Sequence, residues 1–213
     1  QGTQLLKYGF PIVVVNHQSA ENFHYSIYHD DIDGSRQITR HLIELGHEHI
    51  AYLGNALSGR TTLDRFHGFE LEMKAASLPV YENLIHNENG GDAEDGYHSV
   101  ETFLKVQPRP TAIICYNDMM AIGVLKALDS ACVKVPEEIS VTGFDNVSMS
   151  AFTSPALTTL DQPKRSIGKE ACQLLLSLLR TQENNHSFEP KEKILKGKLL
   201  VRQSTAKPNS KSI

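Results

Sequence analysis

Several features that would assign a function at once are missing from this sequence. It has no run of basic residues, and its formal net charge is −4. Binding to nucleic-acid phosphates needs clustered Lys and Arg, so we do not expect the chain to bind DNA or RNA by itself. No apolar stretch is long enough to span a membrane, and no signal peptide is visible. We therefore expect a cytoplasmic protein with no membrane partner.

Metal sites and catalytic motifs are also missing. The three cysteines are odd in number and far apart, which is typical of reduced cytosolic thiols rather than of disulfides or a zinc site. His47 and His49 could share one face of a strand, but no Cys or carboxylate cluster completes a set of metal ligands. The motifs GxSxG, HExxH, CxxC and GxGxxG do not occur. We predict no metal, no cofactor and no catalysis.

The sequence otherwise has the pattern of a globular α/β protein. Hydrophobic residues make up 40% and charged residues 22% of its 213 positions, which is ordinary for such proteins. Short apolar strand patterns alternate with amphipathic helix patterns, and this indicates doubly wound parallel sheets. Strands are predicted at 12–15, 25–28, 50–53, 84–85, 111–115, 139–144, 157–160 and 194–202. Helices are predicted at 33–45, 62–76, 94–106, 118–128 and 164–180, after the last turn of a helix at 5–9.

The most informative stretch covers residues 139–163, ISVTGFDNVSMSAFTSPALTTLDQP. A buried strand ends at Asp145, and in open α/β sheets ligands bind beyond the carboxyl ends of strands. The stretch resembles the GYDD/N…PxLTTxxQP signature of the LacI/GalR family of bacterial transcription regulators. HLIELGHEHIAYLG at 41–54, RPTAIICYNDMMAIGVLKAL at 109–128 and LLVRQST at 199–205 resemble further segments of that family. The resemblance looks closest to the purine- and ribose-repressor branches.

The resemblance implies two lobes of the type I periplasmic-binding-protein-like fold. One lobe would comprise residues 1–45 and 162–190, the other 46–161 and 191–205, and 206–213 would be a disordered tail. The first lobe lacks its opening strands, so we expect the chain to be truncated at its N-terminus. Its function would be effector sensing and dimerisation, with a sugar, a nucleoside base or a similar polar metabolite bound between the lobes. Operator DNA would be bound only through an absent N-terminal domain of the homodimer.

Six polar residues lie in the segments that come after predicted strands, and they are the candidate effector contacts: Asp145, Arg65, Asn117, Asp30, Thr61 and Asn16. Their planar or polar groups suit a small ligand with paired hydroxyl, carbonyl or ring-nitrogen groups. The alternative is that each residue only caps a helix, and it stays open for Asp30 and Asn117. The resemblance favours binding by Asp145 and Arg65. Thr61 and Asn16 match contacts that only some branches use.

One departure from the family concerns an aromatic residue. In sugar- and purine-binding relatives, a ring before the helix at 94–106 stacks on the ligand. Here that position falls within 87–92, which contains no aromatic residue. A ligand held by stacking is therefore in doubt.

Two other functions remain possible at this point. Residues 54–61, GNALSGRT, are spaced like the phosphate-binding P-loop GxxxxGK[ST]. However, an arginine replaces the lysine, and its rigid fork does not replace a compact ammonium group. A periplasmic sugar-binding protein of a transport system would share the two-lobed architecture. The segments at 139–163 and 199–205 favour the regulator.

Overall fold

The structure is a computed structural model that describes residues 11–16, 25–183 and 191–209. For residues 181–183 it describes the backbone only. The chain forms two compact units. The smaller unit contains residues 1–30 and 163–197, and the larger unit contains residues 31–162 and 198–213. In the described part of the chain, no helix is both long and apolar enough to cross a membrane.

The larger unit is built on one six-stranded sheet. Its strands are β3 (Ile50–Asn55), β4 (Ile85–Glu88), β5 (Ala112–Cys115), β6 (Ser140–Phe144), β7 (Thr158–Asp161) and β9 (Lys198–Leu200). They lie in the order β4-β3-β5-β6-β7-β9, and all neighbours are parallel except β7 and β9. Its helices are α1 (Asp31–Glu44), α2 (Arg60–Ala75), α3 (Ala93–Lys105) and α4 (Asp118–Ser130). Short 3₁₀ turns lie at Glu82–Leu84 and Ser148–Ala151.

Alternate side chains of each central strand pack into two different hydrophobic clusters. Ala51 and Leu53 of β3 belong to the cluster that contains Val100 of α3 and Val124 of α4. Ile50 and Tyr52, the other face of the same strand, belong to the cluster that contains Ile38 of α1 and Phe69 of α2. A strand buried on both faces reads as a continuous apolar run, which is why residues 50–53 and 111–115 could be predicted.

The strand order places a crevice between β3 and β5. The chain leaves β3 for β4 on one side and then returns to form β5 on the other side of β3. Connections that diverge in this way leave a crevice outside the carboxyl ends of the two strands, where α/β proteins bind ligands. The residues that follow β3 and β5 are therefore the ones to inspect for a site.

The smaller unit contains a three-stranded sheet and one long helix. β1 (Val14–Val15), β2 (Tyr25–His29) and β8 (Lys191–Leu195) are parallel, in the order β1-β2-β8. Helix α5 (Lys164–Glu183) packs against Ile27 through one apolar stripe: Ile167, Ala171, Leu174 and Leu178. Helical spacing predicts these four residues and also Leu175, which is instead 36% exposed. The predicted helix end at 5–9 lies outside the described residues.

The structure divides the chain at different residues from those expected. Helix α1 lies in the larger unit, because its buried Ile38 and Leu42 share a core with Phe69 and Met73 of α2. The single predicted strand 194–202 is two strands in two sheets: β8 pairs with β2, and β9 pairs with β7. The residues between them, 196–197, join the two units.

The predicted tail is ordered at its beginning. Ser204 is fully buried, and its backbone carbonyl accepts a hydrogen bond from Val141 N. Ala206 N donates to Ser140 Oγ, and Ala206 O accepts from His47 Nε2 at 2.8 Å. Ala206, the first residue of the predicted tail, is thus held in place by these contacts, and residues 210–213 lie outside the described part.

His47 has a structural role, as expected. It is 1% exposed, and its Nδ1 lies 2.9 Å from Thr111 Oγ1. A carbonyl oxygen can only accept a hydrogen bond, so His47 Nε2 is protonated and donates to Ala206 O. In the neutral ring, Nδ1 then accepts a hydrogen bond from the Thr111 hydroxyl group. Burial lowers the pKa of His47, even though the Ala206 hydrogen bond favours the charged form.

This burial predicts a pH-dependent stability. The unfolded chain takes up a proton at His47 near pH 6.5, whereas the folded chain takes it up at a lower pH. The free energy of unfolding contributed by His47 is therefore fully present above about pH 6.5 and is lost as the pH falls below it, by at most about 1.4 kcal/mol per pH unit. Urea unfolding of wild type and His47→Gln between pH 7.5 and 5.5 checks this. A stability difference between the two proteins that does not shrink on acidification would contradict it.

Candidate functional site

The side chain of Arg65 lies at the crevice between β3 and β5. It comes from the second turn of α2 and is only 6% exposed. Its Nε donates to Asp31 Oδ1 at 2.8 Å, and its Nη1 donates to the carbonyl oxygen of Tyr116, the residue after β5, at 2.5 Å. Its Nη2 lies 3.5 Å from Asp145 Oδ1. Every nitrogen of the guanidinium group thus has a partner within the larger unit.

Two aromatic rings enclose the same guanidinium group. Its central carbon lies 3.7 Å from the ring centroid of Phe144 and 4.5 Å from that of Tyr116. Cations bind the faces of such rings more strongly when water is excluded. Phe144 ends β6 and Tyr116 follows β5, so rings from two strand ends contact the cation at the carboxyl edge of the sheet. The Arg65 side chain is therefore held in one position.

Electrostatics at Arg65 favour the charged form. Burial opposes it, but the nearby carboxylates of Asp31 and Asp145 raise the pKa of the Arg65 guanidinium above its usual value. One positive charge therefore faces two negative ones. A buried charge of this kind is tolerated only where it is paired and hydrogen-bonded.

Asp145 is the most exposed member of the group. It follows β6 in an uncommon left-handed backbone conformation, with φ of 109°, and Asn146 continues with φ of 50°. Its side chain is 31% exposed, and its Oδ1 also accepts a hydrogen bond from Gln162 Nε2 at 2.5 Å. Residues other than glycine rarely adopt such φ angles, and they do so where the surrounding contacts stabilise that backbone conformation.

The surroundings of Asp145 include Arg202. Its Nη2 donates to Asn146 Oδ1 at 2.8 Å, and its Nη1 donates to the carbonyl of Leu157 at 2.6 Å. Asn146 Nδ2 in turn donates to Asp161 Oδ1 at 2.9 Å. The loop that presents Asp145 is therefore fastened to both β7 and the segment after β9.

A second carboxyl group, that of Asp118, is hydrogen-bonded to this loop. Asp118 is completely buried, and it accepts hydrogen bonds from Thr159 Oγ1 at 2.5 Å and from Val147 N at 2.8 Å. Burial raises the pKa of Asp118 to about 6, although the two hydrogen bonds favour the ionised form and the charge of Asp145 opposes it. Asp118 is inaccessible to a ligand and holds the start of the loop.

The other candidates differ in what they contact. Asn117 caps α4, because its Oδ1 accepts from Met120 N, and its Nδ2 donates to Gly91 O at 2.8 Å. Asn117 therefore does cap a helix, and its role as an effector contact stays a prediction. Thr61 lies on the first turn of α2, four residues before Arg65 and on the same helix face.

Asp30 and Asn16 belong to the smaller unit. Asp30 follows β2, and its backbone N–H donates to Leu195 O. Asn16 follows β1, has φ of 55°, and donates its backbone N–H to Ile27 O. The two residues thus follow neighbouring strands of one sheet, as predicted, and their role as contacts stays a prediction.

Two direct partners of the site were missed by sequence analysis. Asp31 is not among the six candidates predicted from the sequence, and it begins α1, two residues before the predicted helix start at 33. Gln162 is not among them either. The doubled acidic pair Asp30-Asp31 was a usable signal, but the sequence does not show which carboxylate faces an arginine.

The P-loop interpretation finds no support in the geometry. Arg60, which stands in place of the P-loop lysine, is the first residue of α2, and its side chain is 63% exposed. Its Nε lies 3.4 Å from Oδ2 of Asp64, on the next turn of the helix. Among the described residues, no group of three or more His, Cys, Asp or Glu side chains could hold a metal ion.

Arg65 and Arg60 form a matched pair for a stability test. Arg65→Ala should lower the free energy of unfolding by about 3–5 kcal/mol, because it leaves the Asp31 carboxylate buried without its partner. Arg60→Ala, on the same helix, removes an exposed ion pair and should cost about 1 kcal/mol or less. Urea denaturation at pH 7.5 measures both values. Equal stabilities of the two variants would show that the buried pair does not stabilise the fold.

Comparison with known proteins identifies the family. Residues 39–205 match the periplasmic binding protein-like domain family. The HTH-type transcriptional repressor PurR of Actinobacillus pleuropneumoniae is 32% identical over 199 residues, which are 93% of this chain and 58% of that protein. The chain thus spans less than two thirds of the length of this relative.

Solved structures agree with this result. A sugar-binding transcriptional regulator of the LacI family from Escherichia coli, complexed with phosphate, has a TM-score of 0.83 at 30% identity, covering 97% of this chain and 73% of that one. A LacI family regulator from Enterococcus faecium with bound ribose has a TM-score of 0.84 at 27% identity, covering 98% and 75%. The predicted α/β fold is confirmed, and so is the prediction that the chain is not an enzyme, since these relatives are transcriptional regulators. The chain belongs to the LacI family of transcriptional regulators and resembles its purine-repressor branch.

Proposed function

We propose that this chain senses a small polar effector for a LacI-type repressor, and that it binds the effector at Asp145 and Arg65. The observation that carries the proposal is the buried guanidinium of Arg65, held 3.5 Å from the accessible carboxylate of Asp145 at the β3/β5 crevice. A fixed cation beside an exposed anion offers both donors and acceptors without further rearrangement. Preorganised polar groups of this kind fix the orientation of a ligand.

The charge balance narrows the chemistry of the effector. Arg65 contributes one positive charge, and Asp31 and Asp145 contribute two negative ones. A phosphorylated or carboxylate ligand would meet this net negative charge, whereas hydroxyl or N–H groups would donate to Asp145. We therefore propose a neutral carbohydrate or a purine-like base. Asn117, Thr61, Asp30 and Asn16 are proposed as secondary contacts.

The remaining partners are also proposals. A regulator that responds to an effector needs a ligand with different affinities for two states. Relatives named HTH-type repressors support the proposal that operator DNA is bound by other parts of a longer, cytoplasmic protein. This chain, with net charge −4, would not bind operator DNA specifically on its own.

Asp145→Asn tests the binding site directly. Isothermal titration with a panel of free pentoses, hexoses, nucleosides and purine bases first identifies a ligand of the wild type. The substitution should weaken binding of that ligand at least about tenfold, because it removes a charge-assisted hydrogen bond.

Asp129→Asn is the matched control, since Asp129 lies in the last turn of α4 and its side chain is 77% exposed. It should leave the affinity unchanged. Unchanged affinity in a well-folded Asp145→Asn protein would reject Asp145 as a contact. Arg65 is less suitable for this test, because its loss also weakens the fold.

Dimerisation should use the exposed apolar residues of the larger unit. Phe69 and Met73 of α2 are core residues at 1% exposure and are not available for an interface. Met149 and Phe152, in contrast, are 61% and 84% exposed within one short segment. We propose that this segment forms part of a twofold interface.

Sedimentation over a range of concentrations tests the interface. The chain should form a weak, concentration-dependent dimer, and Phe152→Ser should shift it towards monomer by about tenfold in dissociation constant. Leu63→Ser, at a residue 67% exposed on α2, is the control and should change nothing. A tight dimer that is insensitive to Phe152→Ser would contradict the assignment.

A further inference from the structure

We propose that the buried carboxyl group of Asp118 positions Asp145 for the effector, so that the affinity of the site changes with the ionisation of Asp118. This inference rests on the proposed function. Asp118 is 0% exposed, so it does not touch a ligand itself. It would act through the backbone that follows Asp145, as a positioning residue.

Two consecutive backbone N–H groups after Asp145 are held by Asp118 and its partner Thr159. Val147 N donates to Asp118 Oδ2 at 2.8 Å. Asn146 N donates to Thr159 Oγ1 at 3.3 Å, and the same hydroxyl group donates to Asp118 Oδ1. One carboxyl group thus fixes the main chain directly at one residue and through a hydroxyl group at the residue before it.

The turn that carries Asp145 needs such contacts. Asp145 and Asn146 both have positive φ, 109° and 50°, and residues other than glycine keep such angles only where their surroundings hold them. Arg202 holds the side chain of Asn146, whereas Asp118 and Thr159 hold its main chain. Loss of the main-chain contacts would therefore let the turn relax and move the carboxylate of Asp145 relative to Arg65.

The strand beside this turn leaves room for the carboxyl group. A Cβ atom at Gly143 of β6 would lie 2.2 Å from Asp118 Oδ1 and 3.1 Å from Asp118 Cα. The second atom belongs to the backbone of α4, which cannot rotate away as the end of a side chain can. Glycine at position 143 therefore lets Asp118 lie against the strand that leads into Asp145.

The ionisation of Asp118 decides whether its two hydrogen bonds can exist together. An ionised carboxylate only accepts, so it can accept from Val147 N and from Thr159 Oγ1 at the same time. A proton on Oδ2 would face the N–H group of Val147, and a proton on Oδ1 would face a hydroxyl group that already donates to it. Protonation therefore breaks or reverses one of the bonds that hold the turn.

Asp118 changes its ionisation close to neutral pH. In the described part of the chain, the titratable or charged groups that face it are Asp145 after β6, Arg202 after β9 and Cys115 at the end of β5. Burial raises the pKa of Asp118 to about 6, and the charge of Asp145 adds to the rise, whereas the two hydrogen bonds and the charge of Arg202 oppose it. Burial and the charge of Asp118 raise the pKa of the Cys115 thiol, which stays neutral. Asp118 is therefore ionised at pH 7.5 and mostly protonated at pH 5.5.

The amide resonances of Asn146 and Val147 test the coupling without a ligand. In NMR spectra of the wild type, both should shift with a common midpoint at about pH 6. Asp118→Asn should abolish this titration, and Asp129→Asn, at an exposed residue of the same helix, should keep it. Resonances that do not titrate in the wild type, or that titrate equally in Asp118→Asn, would overturn the coupling.

Isothermal titration tests the effect on affinity with the same panel of pentoses, hexoses, nucleosides and purine bases. The panel member that the wild type binds should bind about threefold more weakly at pH 5.5 than at pH 7.5, because protonated Asp118 then predominates. The Asp118→Asn amide cannot accept both hydrogen bonds, so this variant should bind about tenfold more weakly at pH 7.5. It should lose nothing further at pH 5.5, whereas Asp129→Asn should keep the wild-type profile.

Thr159 provides a second test that leaves the buried carboxyl group in place. Thr159→Val has the same shape without the hydroxyl group and should weaken binding about threefold at pH 7.5, and Thr159→Ser keeps the hydroxyl group and should retain most of the affinity. Wild-type binding that is insensitive to pH and to both Asp118→Asn and Thr159→Val would overturn this inference alone. Failure of the wild type to bind any member of the panel would instead overturn the proposed function, and the positioning role of Asp118 with it.

Discussion

The larger unit is organised around one buried positive charge. The Arg65 guanidinium could not remain at 6% exposure without compensation, because desolvating an isolated charge costs several kcal/mol. The compensation comes from segments far apart in the sequence: Asp31, the carbonyl of Tyr116, the ring of Phe144 and Asp145. Each of these must arrive at the carboxyl edge of the sheet for the charge to be tolerated. The requirement couples the start of α1 to the ends of β5 and β6.

The same charge network reaches the points at which the chain passes between its two units. Asp31 is the first residue of the larger unit, and Gln162 is its last residue before the chain enters the smaller unit at Pro163. Asp31 pairs with Arg65, and Gln162 donates to Asp145. At the third passage, Arg202 lies a few residues inside the larger unit and fastens Asn146, the neighbour of Asp145. Residues at or near all three connections are therefore hydrogen-bonded, within the larger unit, to Arg65, to Asp145 or to the neighbour of Asp145.

Hydrophobic periodicity and family motifs were sufficient to predict part of the fold and part of the candidate site. The apolar runs at 50–53 and 111–115 and the strand-end position of Asp145 follow from local patterns, and the structure agrees with them. Sequence analysis did not recover facts that depend on tertiary partners. The split of 194–202 into β8 and β9 follows from pairing with two different sheets, and no local signal marks that change. The pairing of Arg65 with Asp31 rather than Asp30 depends on distances across the sheet edge, which residue types alone do not contain.

The distribution of exposure shows which charge a ligand can use. The carboxylate of Asp118 is fully buried and occupied by Thr159 and Val147. The side chain of Asp31 is 17% exposed and saturates Arg65 Nε, whereas that of Asp145 is 31% exposed and lies at the longer distance of 3.5 Å from Nη2. The weakest ion contact therefore coincides with the most accessible carboxylate. In the proposed site, a ligand hydroxyl or N–H group would compete for Asp145 without separating Arg65 from Asp31, and the buried charge that organises the fold would stay paired.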